Sequence, residues 1–168
     1  MYIGQIMHTN LVTVSPETTL VEARAVIDKN RIEHLLVVDK KGHLVGIVSD
    51  RDLKQNWASP ATTLSVHELN YLLQKVEVRM IMVKALKTVA PDTTIERAAY
   101  IMQTENISSL PVMAGGQLVG IVTSTDVMAV LLQAIGMNEE SLRLGVLVDD
   151  QIGRLAEVTA IFQAARIN

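Results

Sequence analysis

A chain of 168 residues in which 49% of side chains are hydrophobic but only 3% aromatic must build its core from Val, Ile, Leu, Ala and Met, as one domain or two small ones. A net charge of −3 and a pI near 5.8 leave no basic stripe of the kind a nucleic-acid surface needs. The absence of Cys excludes disulfides, thiol nucleophiles and thiolate metal sites, and no apolar run approaches the roughly 18 residues of a membrane span.

Taken in order, the elements recur. Ile6-Met7 returns as Ile81-Met82, Thr13-Val14-Ser15-Pro16 as Thr88-Val89-Ala90-Pro91, and the segment from Leu44 to Asp52 as Leu118 to Asp126. The offset is 75 residues up to Val37/Val112 and 74 from Gly42/Gly116, so one residue is lost in a turn, as in a duplicated structural unit. Two equivalent units are expected to pack about a pseudo-twofold with paired clefts between them. In the first copy Thr19 and Glu22 have the spacing of a capping box, and Thr93 and Glu96 have it in the second. Leu20, Ala23, Val26 and Ile27 then form a stripe at helical period. Leu35 to Val38 reads as a strand, Lys40-Lys41-Gly42 as a hairpin turn, and Leu44 to Val48 as a returning strand without alternation, predicted to be buried on both faces. A helix follows from Arg51. Each repeat is thus predicted as strand, helix, strand, strand, helix.

Residues 59–63 read as a loop, followed by a helix capped by Ser65 with Glu68, whose apolar face carries Leu69, Leu72, Leu73, Val76 and Met80 as core or dimer contact. The apolar helix around Val127 to Leu132 is predicted to end at Gly136. Beyond it, Leu142, Leu144, Val146 and Val148 alternate as a strand, and a turn at Asp149 to Gly153 leads into a helix with Leu155, Val158, Ile161, Phe162 and Ala165. The domains are therefore expected at 1–61, 62–137 and 138–168.

The chemistry concentrates at Gly46 to Asp52 and its copy at Gly120 to Asp126. The small residue admits a ligand to the strand end, while a hydroxyl (Ser49 or Thr123) and the free N–H groups of the first helical turn suit an anion. A carboxylate three residues on (Asp52 or Asp126) accepts from vicinal hydroxyls, so the set fits a ribose-phosphate. The same residues also read as plain helix caps.

Thr13-Val14-Ser15-Pro16, then Ile32 to Asp39, then Gly46 to Asp52 resemble a cystathionine-β-synthase (CBS) domain, and the second repeat matches. Their doubling over roughly 3–135 resembles a Bateman module of α/β class. The resemblance implies clefts for an adenosine-containing regulatory ligand (AMP, ADP, ATP, NAD or S-adenosylmethionine) and no obligatory cofactor. It places Asp52 and Asp126 on the ribose, and Ser49 and Thr123 near the ribose or first phosphate. Thr13, Val14, Thr88 and Val89 would meet the adenine edge, and Ile32 and Ile107 its face. The family's usual Pro is present as Pro111 and replaced by Leu36 in the first repeat. By repeat, Arg31, His34 and Arg51 fall to a first site and Ser108, Ser109, Ser124 and Thr125 to a second, so the first is expected to favour phosphorylated ligands. The stretch from Leu144 to Val158 resembles the opening strand and helix of an ACT domain, with Ile152 in place of the usual Pro. CBS pair followed by ACT is the order in acetoin-utilisation-type regulatory proteins.

Catalysis finds no motif. His8, His34, His43 and His67 lack metal-ligand spacing, and no nucleophile elbow, phosphate loop or dinucleotide fingerprint occurs. The eight Met residues read as gap-filling core. The expected protein is cytoplasmic, has no signal peptide, binds neither metal nor nucleic acid, and is homodimeric through its CBS helices. It is expected to sense an adenosyl ligand, with an unidentified regulated protein as a further partner. The alternatives are a ligand-free dimerisation module and a regulatory subunit of a metabolic enzyme or transporter.

Overall fold

Each repeat is organised around a capped helix. Thr19 caps α1 (Leu20–Asn30): its hydroxyl accepts from Glu22 N at 3.3 Å, and the Glu22 carboxylate accepts from Thr19 N and Oγ1 at 2.9 Å. The computed structural model describes residues 1–57, 65–136 and 145–166, so the loop at 59–63, Leu142, Leu144 and the side chain of Leu69 lie outside the described residues. The equivalent helix α4 (Ile95–Glu105) is capped by Thr94, whose hydroxyl accepts from Arg97 N, while Thr93 Oγ1 accepts from Ala90 N. The expected Thr93–Glu96 pair is thus corrected by one residue. With Arg97 at the third helical position, α4 has no carboxylate to return the bond. Both helices end on a left-handed residue, Arg31 (φ 53°) and Asn106 (φ 54°).

In the first repeat β1 (Thr13–Val14) runs parallel to β2 (His34–Val38), which pairs antiparallel with β3 (Leu44–Ser49). In the second, β4 (Ser109–Ala114) pairs with β5 (Gln117–Thr123), and the counterpart of β1 is a single parallel bridge, Val89 to Val112. The turns hold Gly42 at φ 82° and Gly115 and Gly116 at φ 56° and 80°, and the deleted residue falls here. β2 is buried on both faces, with Leu35, Leu36 and Val37 all inaccessible, and β4 matches it from Ser109 to Val112. β3, expected to be so buried, keeps Leu44, Val45 and Ile47 half-exposed at the sheet edge.

The two repeats exchange their leading segments. Ile3, with Ile6 and Met7, packs in the core of the second repeat, and Val78, with Ile81 and Met82, packs in the core of the first. Ile3 and Val78 are fully buried, each worth about 1.5–3 kcal/mol. Matched backbone bonds hold the exchange: Ile3 N to Thr93 O (2.9 Å) and Gly4 N to Pro91 O (2.8 Å) mirror Val78 N to Thr18 O (2.8 Å) and Arg79 N to Pro16 O (2.9 Å). A second mirrored set joins His8 with Ile121 and Val83 with Ile47, each through two bonds of 2.9–3.1 Å. The repeated methionines fit here, because Met82 lies against Gly46 and Met7 against Gly120, where a Cβ would collide with their side chains. The smallness of Gly46 therefore serves this packing rather than the approach of a ligand.

Ser65 and Glu68 form the expected capping box at 2.7–3.3 Å on α3 (Val66–Leu73). This helix stops at Leu73, which is buried, so Val76 and Met80 do not extend its face; Met80 lies in a separate 3-10 turn and is exposed. α2 (Asp50–Gln55) is short, and α5 (Ser124–Ala134) has no buried residue and exposes Met128 and Leu131. Gly136, at φ 74°, follows α5 in the conformation of a helix stop.

The chain divides into units Met1–Leu131 and Leu132–Asn168. In the second unit α6 (Arg154–Ala164) forms behind Gly153 (φ 97°), but 145–149 form no strand among the described residues. Val146, Val148, Val158 and Ile161 line a hollow of about 530 Å³.

Candidate functional site

The junction of β3 with α2 is locked by its own residues. Ser49 Oγ accepts from Asp52 N at 3.2 Å, and Asp52 Oδ2 accepts from Ser49 Oγ at 2.6 Å and Ser49 N at 2.8 Å. Thr123 and Asp126 repeat this at 3.3, 2.7 and 2.7 Å. Both hydroxyls therefore act as helix caps that also donate to the carboxylate. What the first junction leaves available is Asp52 Oδ1, which has no hydrogen-bond partner among the described residues. α2 spans six residues and its first turn carries Asp50 and Asp52, so an anion here would depend on side-chain cations rather than on the helix end.

Asp52 opens onto a cleft of about 840 Å³. The first repeat contributes His34, Ile47, Ser49, Arg51 and Lys54; the second contributes Asn106, Ile107, Ser108, Ser109 and Pro111, and Val83, Leu86 and Lys87 come from the segment leading into it. Aliphatic walls thus face a carboxylate and a cationic rim. Lys54 is paired with Asp50, which also accepts from Arg24 at 2.6 Å, and Lys87 is paired with Glu105 at 2.8 Å. Arg51 has no ion pair among the described residues and is the cation available to a ligand. The Lys54 bond, only partly opposed by burial, holds the Asp50 carboxyl below the usual carboxylate range.

His34 Nε2 lies 3.0 Å from Ser108 Oγ, joining the two repeats across this cleft. Burial pushes its imidazole down, partly offset by the charges of Glu33 and Asp52. The allotment of residues by repeat is corrected accordingly. His34 and Arg51 share one cleft with Ser108 and Ser109, while Arg31 does not line it and its counterpart Asn106 does.

Of the other candidates, Val14 and Val89 point into the two cores, and Thr13 and Val14 pair with Leu36 and Val37. Ile32 packs against the first core. Thr123, Ser124 and Asp126 stand at the equivalent β5–α5 junction. There Asp126 Oδ1 is engaged by His8 Nε2 at 2.9 Å. Burial pushes the Asp126 carboxyl up, but the bonds from Thr123 and His8 outweigh it and leave the group below the usual range. Sequence reasoning missed Lys54, Val83, Lys87 and His8. Lys54 was signalled by its i,i+4 spacing from Asp50; the others carry no local signal.

Among the described residues no group of three or more His, Asp or Glu is placed to hold a metal, and no helix is long and apolar enough to cross a membrane. Comparison with known proteins matches the CBS domain model to residues 3–58 and 78–133. The chain is 32% identical over 134 residues to a CBS domain-containing protein of Dictyostelium discoideum, covering 79% of this chain and 92% of that one. It is 31% identical over 160 residues to an uncharacterized protein of Methanocaldococcus jannaschii, covering 92% of this chain and only 38% of that longer one. Among solved structures, the CBS domain pair of protein MJ0100, in complex with 5′-methylthioadenosine and S-adenosyl-L-methionine, superposes with a TM-score of 0.66 (26% identity, 80% of this chain and 98% of that one). CBSX2 in complex with AMP superposes at 0.64 (30%, 79% and 97%). A protein assigned to acetoin utilization, AcuB from Vibrio cholerae, superposes at 0.65 (28%, 85% and 98%). The doubled sequence, the two swapped α/β units and these matches agree: the chain carries a tandem pair of CBS domains and belongs to the CBS domain family.

Proposed function

We propose that this pair is a regulatory module binding a phosphorylated adenosine ligand in the cleft beside Asp52. The observation that carries the reading is the conjunction of a free Asp52 Oδ1, an unpaired Arg51 and facing aliphatic walls from the other repeat. A ribose diol donates to the carboxylate, a purine fits between Val83, Leu86, Ile107 and Pro111, and the guanidinium takes the phosphate bidentately. The adenosine compounds bound by the MJ0100 and CBSX2 pairs support the class of ligand. Binding shifts the packing of the repeats only as far as the ligand prefers one arrangement, and the His34–Ser108 bond is the contact poised to report it.

The likeness to AcuB supports a role of this kind in metabolic regulation; the domain limits 1–61, 62–137 and 138–168 are part of the proposal. The helix α6 supports the helical half of the ACT-like reading of the last segment. The exposed Met128 and Leu131 on α5 favour a homodimer joined through CBS helices, which the proposal places in the cytoplasm. Sedimentation of the protein with and without Met128→Glu tests the dimer.

The central test is calorimetric titration with AMP, ATP and S-adenosylmethionine alongside thermal unfolding. A ligand at 100 times its Kd stabilises the fold by about 2.7 kcal/mol. Asp52→Asn preserves the cap but removes the charge, and is expected to weaken AMP binding by at least about tenfold, as for loss of a charged hydrogen bond. Unchanged affinity would overturn the assignment of Asp52.

A further inference from the structure

The two Asp residues sit at equivalent junctions yet differ in what faces them. Beside Asp52 the exchanged segment presents Val83, which lines the cleft and bridges to Ile47. At the twofold-related position, bridging to Ile121, stands His8. Val has no polar atom to offer, so Asp52 Oδ1 stays free. His8 instead donates from Nε2 to Asp126 Oδ1 at 2.9 Å, while Asp126 Oδ2 is held by Thr123. Both oxygens of Asp126 are therefore engaged. A carboxylate accepts only, so the Nε2 atom facing it carries the proton. The remaining acceptor directions on Asp126 are fewer and its charge is partly met, whereas a ribose diol needs an open oxygen.

We infer that His8 makes the two junctions unequal: it occupies the oxygen of Asp126 that corresponds to the free Oδ1 of Asp52, and so restricts tight adenosyl binding to the cleft of Asp52. This rests on the adenosyl reading above and deepens it by specifying stoichiometry. A ligand reaching the Asp126 side has to displace the imidazole and break a bond that its competitor at Asp52 does not meet. The ribose-binding difference is carried by one side chain, exposed over most of its surface, that can be exchanged without disturbing either core; a second difference, Thr125 where the first junction has Arg51, bears on the phosphate.

The experiment is calorimetric titration of AMP, and of 5′-methylthioadenosine as a phosphate-free control, into the full chain as wild type, His8→Val and Val83→His. The wild type is expected to take one tight equivalent, lost in Asp52→Asn. His8→Val, which copies Val83 of the first cleft, is expected to gain a second equivalent of 5′-methylthioadenosine within about tenfold of the first, and a weaker one of AMP because Thr125 stands in place of Arg51. Val83→His is expected to weaken the first by tenfold or more. If wild type and His8→Val bind with the same stoichiometry and affinities, or if the wild type already binds two equal equivalents, the role of His8 is overturned while the adenosyl reading stands. If neither compound binds any variant, the adenosyl reading fails, and the assignment of His8 with it.

Discussion

His34 illustrates how much one side chain carries when it crosses a repeat boundary. Its bond to Ser108 is worth about 0.5–1.5 kcal/mol, so His34→Ala is expected to lower the unfolding free energy by about that amount. Burial also gives this bond a pH dependence. The folded-state pKa lies below the ordinary imidazole value of about 6.5, so the unfolded chain takes up the proton first on acidification. Stability from the neutral ring is complete above that value and is lost as pH falls from it toward the folded value. Urea unfolding between about pH 7.5 and 5 should show this loss. His34→Gln should show a shallower fall; equal slopes would mean that His34 is not held neutral by its burial. Arg31 is the opposite kind of residue, left-handed at the end of α1 where Asn106 stands in α4, a conformation costly for a side chain other than Gly or Asn.

At the scale of elements, the two equivalent helices are started differently. Thr19 and Glu22 bond reciprocally, whereas Thr94 has only its own hydroxyl to offer, since Arg97 replaces the acid. Thr19→Ala is therefore expected to cost about 1–2 kcal/mol and Thr94→Ala about 0.5–1 kcal/mol in denaturant midpoints. Equal losses would show that the added bond from the Thr19 hydroxyl to Glu22 contributes nothing. The strands show where local reading stops. Leu35 to Val38 and Leu44 to Val48 are similar apolar runs, yet only the first is buried on both faces, because what packs over a strand is set by the tertiary structure and not by composition. The alternation at 144–148 likewise did not produce a strand at 145–149, since a ladder needs a neighbour as well as a pattern.

For the whole molecule, the exchange of leading segments ties the two repeats into one cooperative unit. Ile3 completes the second core and Val78 the first. Removal of residues 1–8 should therefore melt the second repeat, although its own matched segment, 78–133, is intact. The expected result is loss of the cooperative thermal transition, with amide exchange protection lost across α4, β4 and β5. Ile3→Ala, a milder lesion, should cost about 2–5 kcal/mol. A truncated chain that melts like the intact one would show that the exchange is dispensable.

The features legible along the chain are those that local chemistry controls. The duplication, the alternation of helices and strands, the Thr19 and Ser65 capping boxes, the glycine turns and the junctions at Ser49–Asp52 and Thr123–Asp126 depend on residues within a few positions of each other, and periodicity and side-chain chemistry suffice to read them. Long-range packing sets the rest: the leading segments change places, Gly46 and Gly120 serve methionines, the cleft mixes Asp52 with Ile107 and Pro111, and His8 meets Asp126. The reason is physical: residues 118 positions apart are joined by the path of the chain and the shape of two cores, and no local propensity records that path.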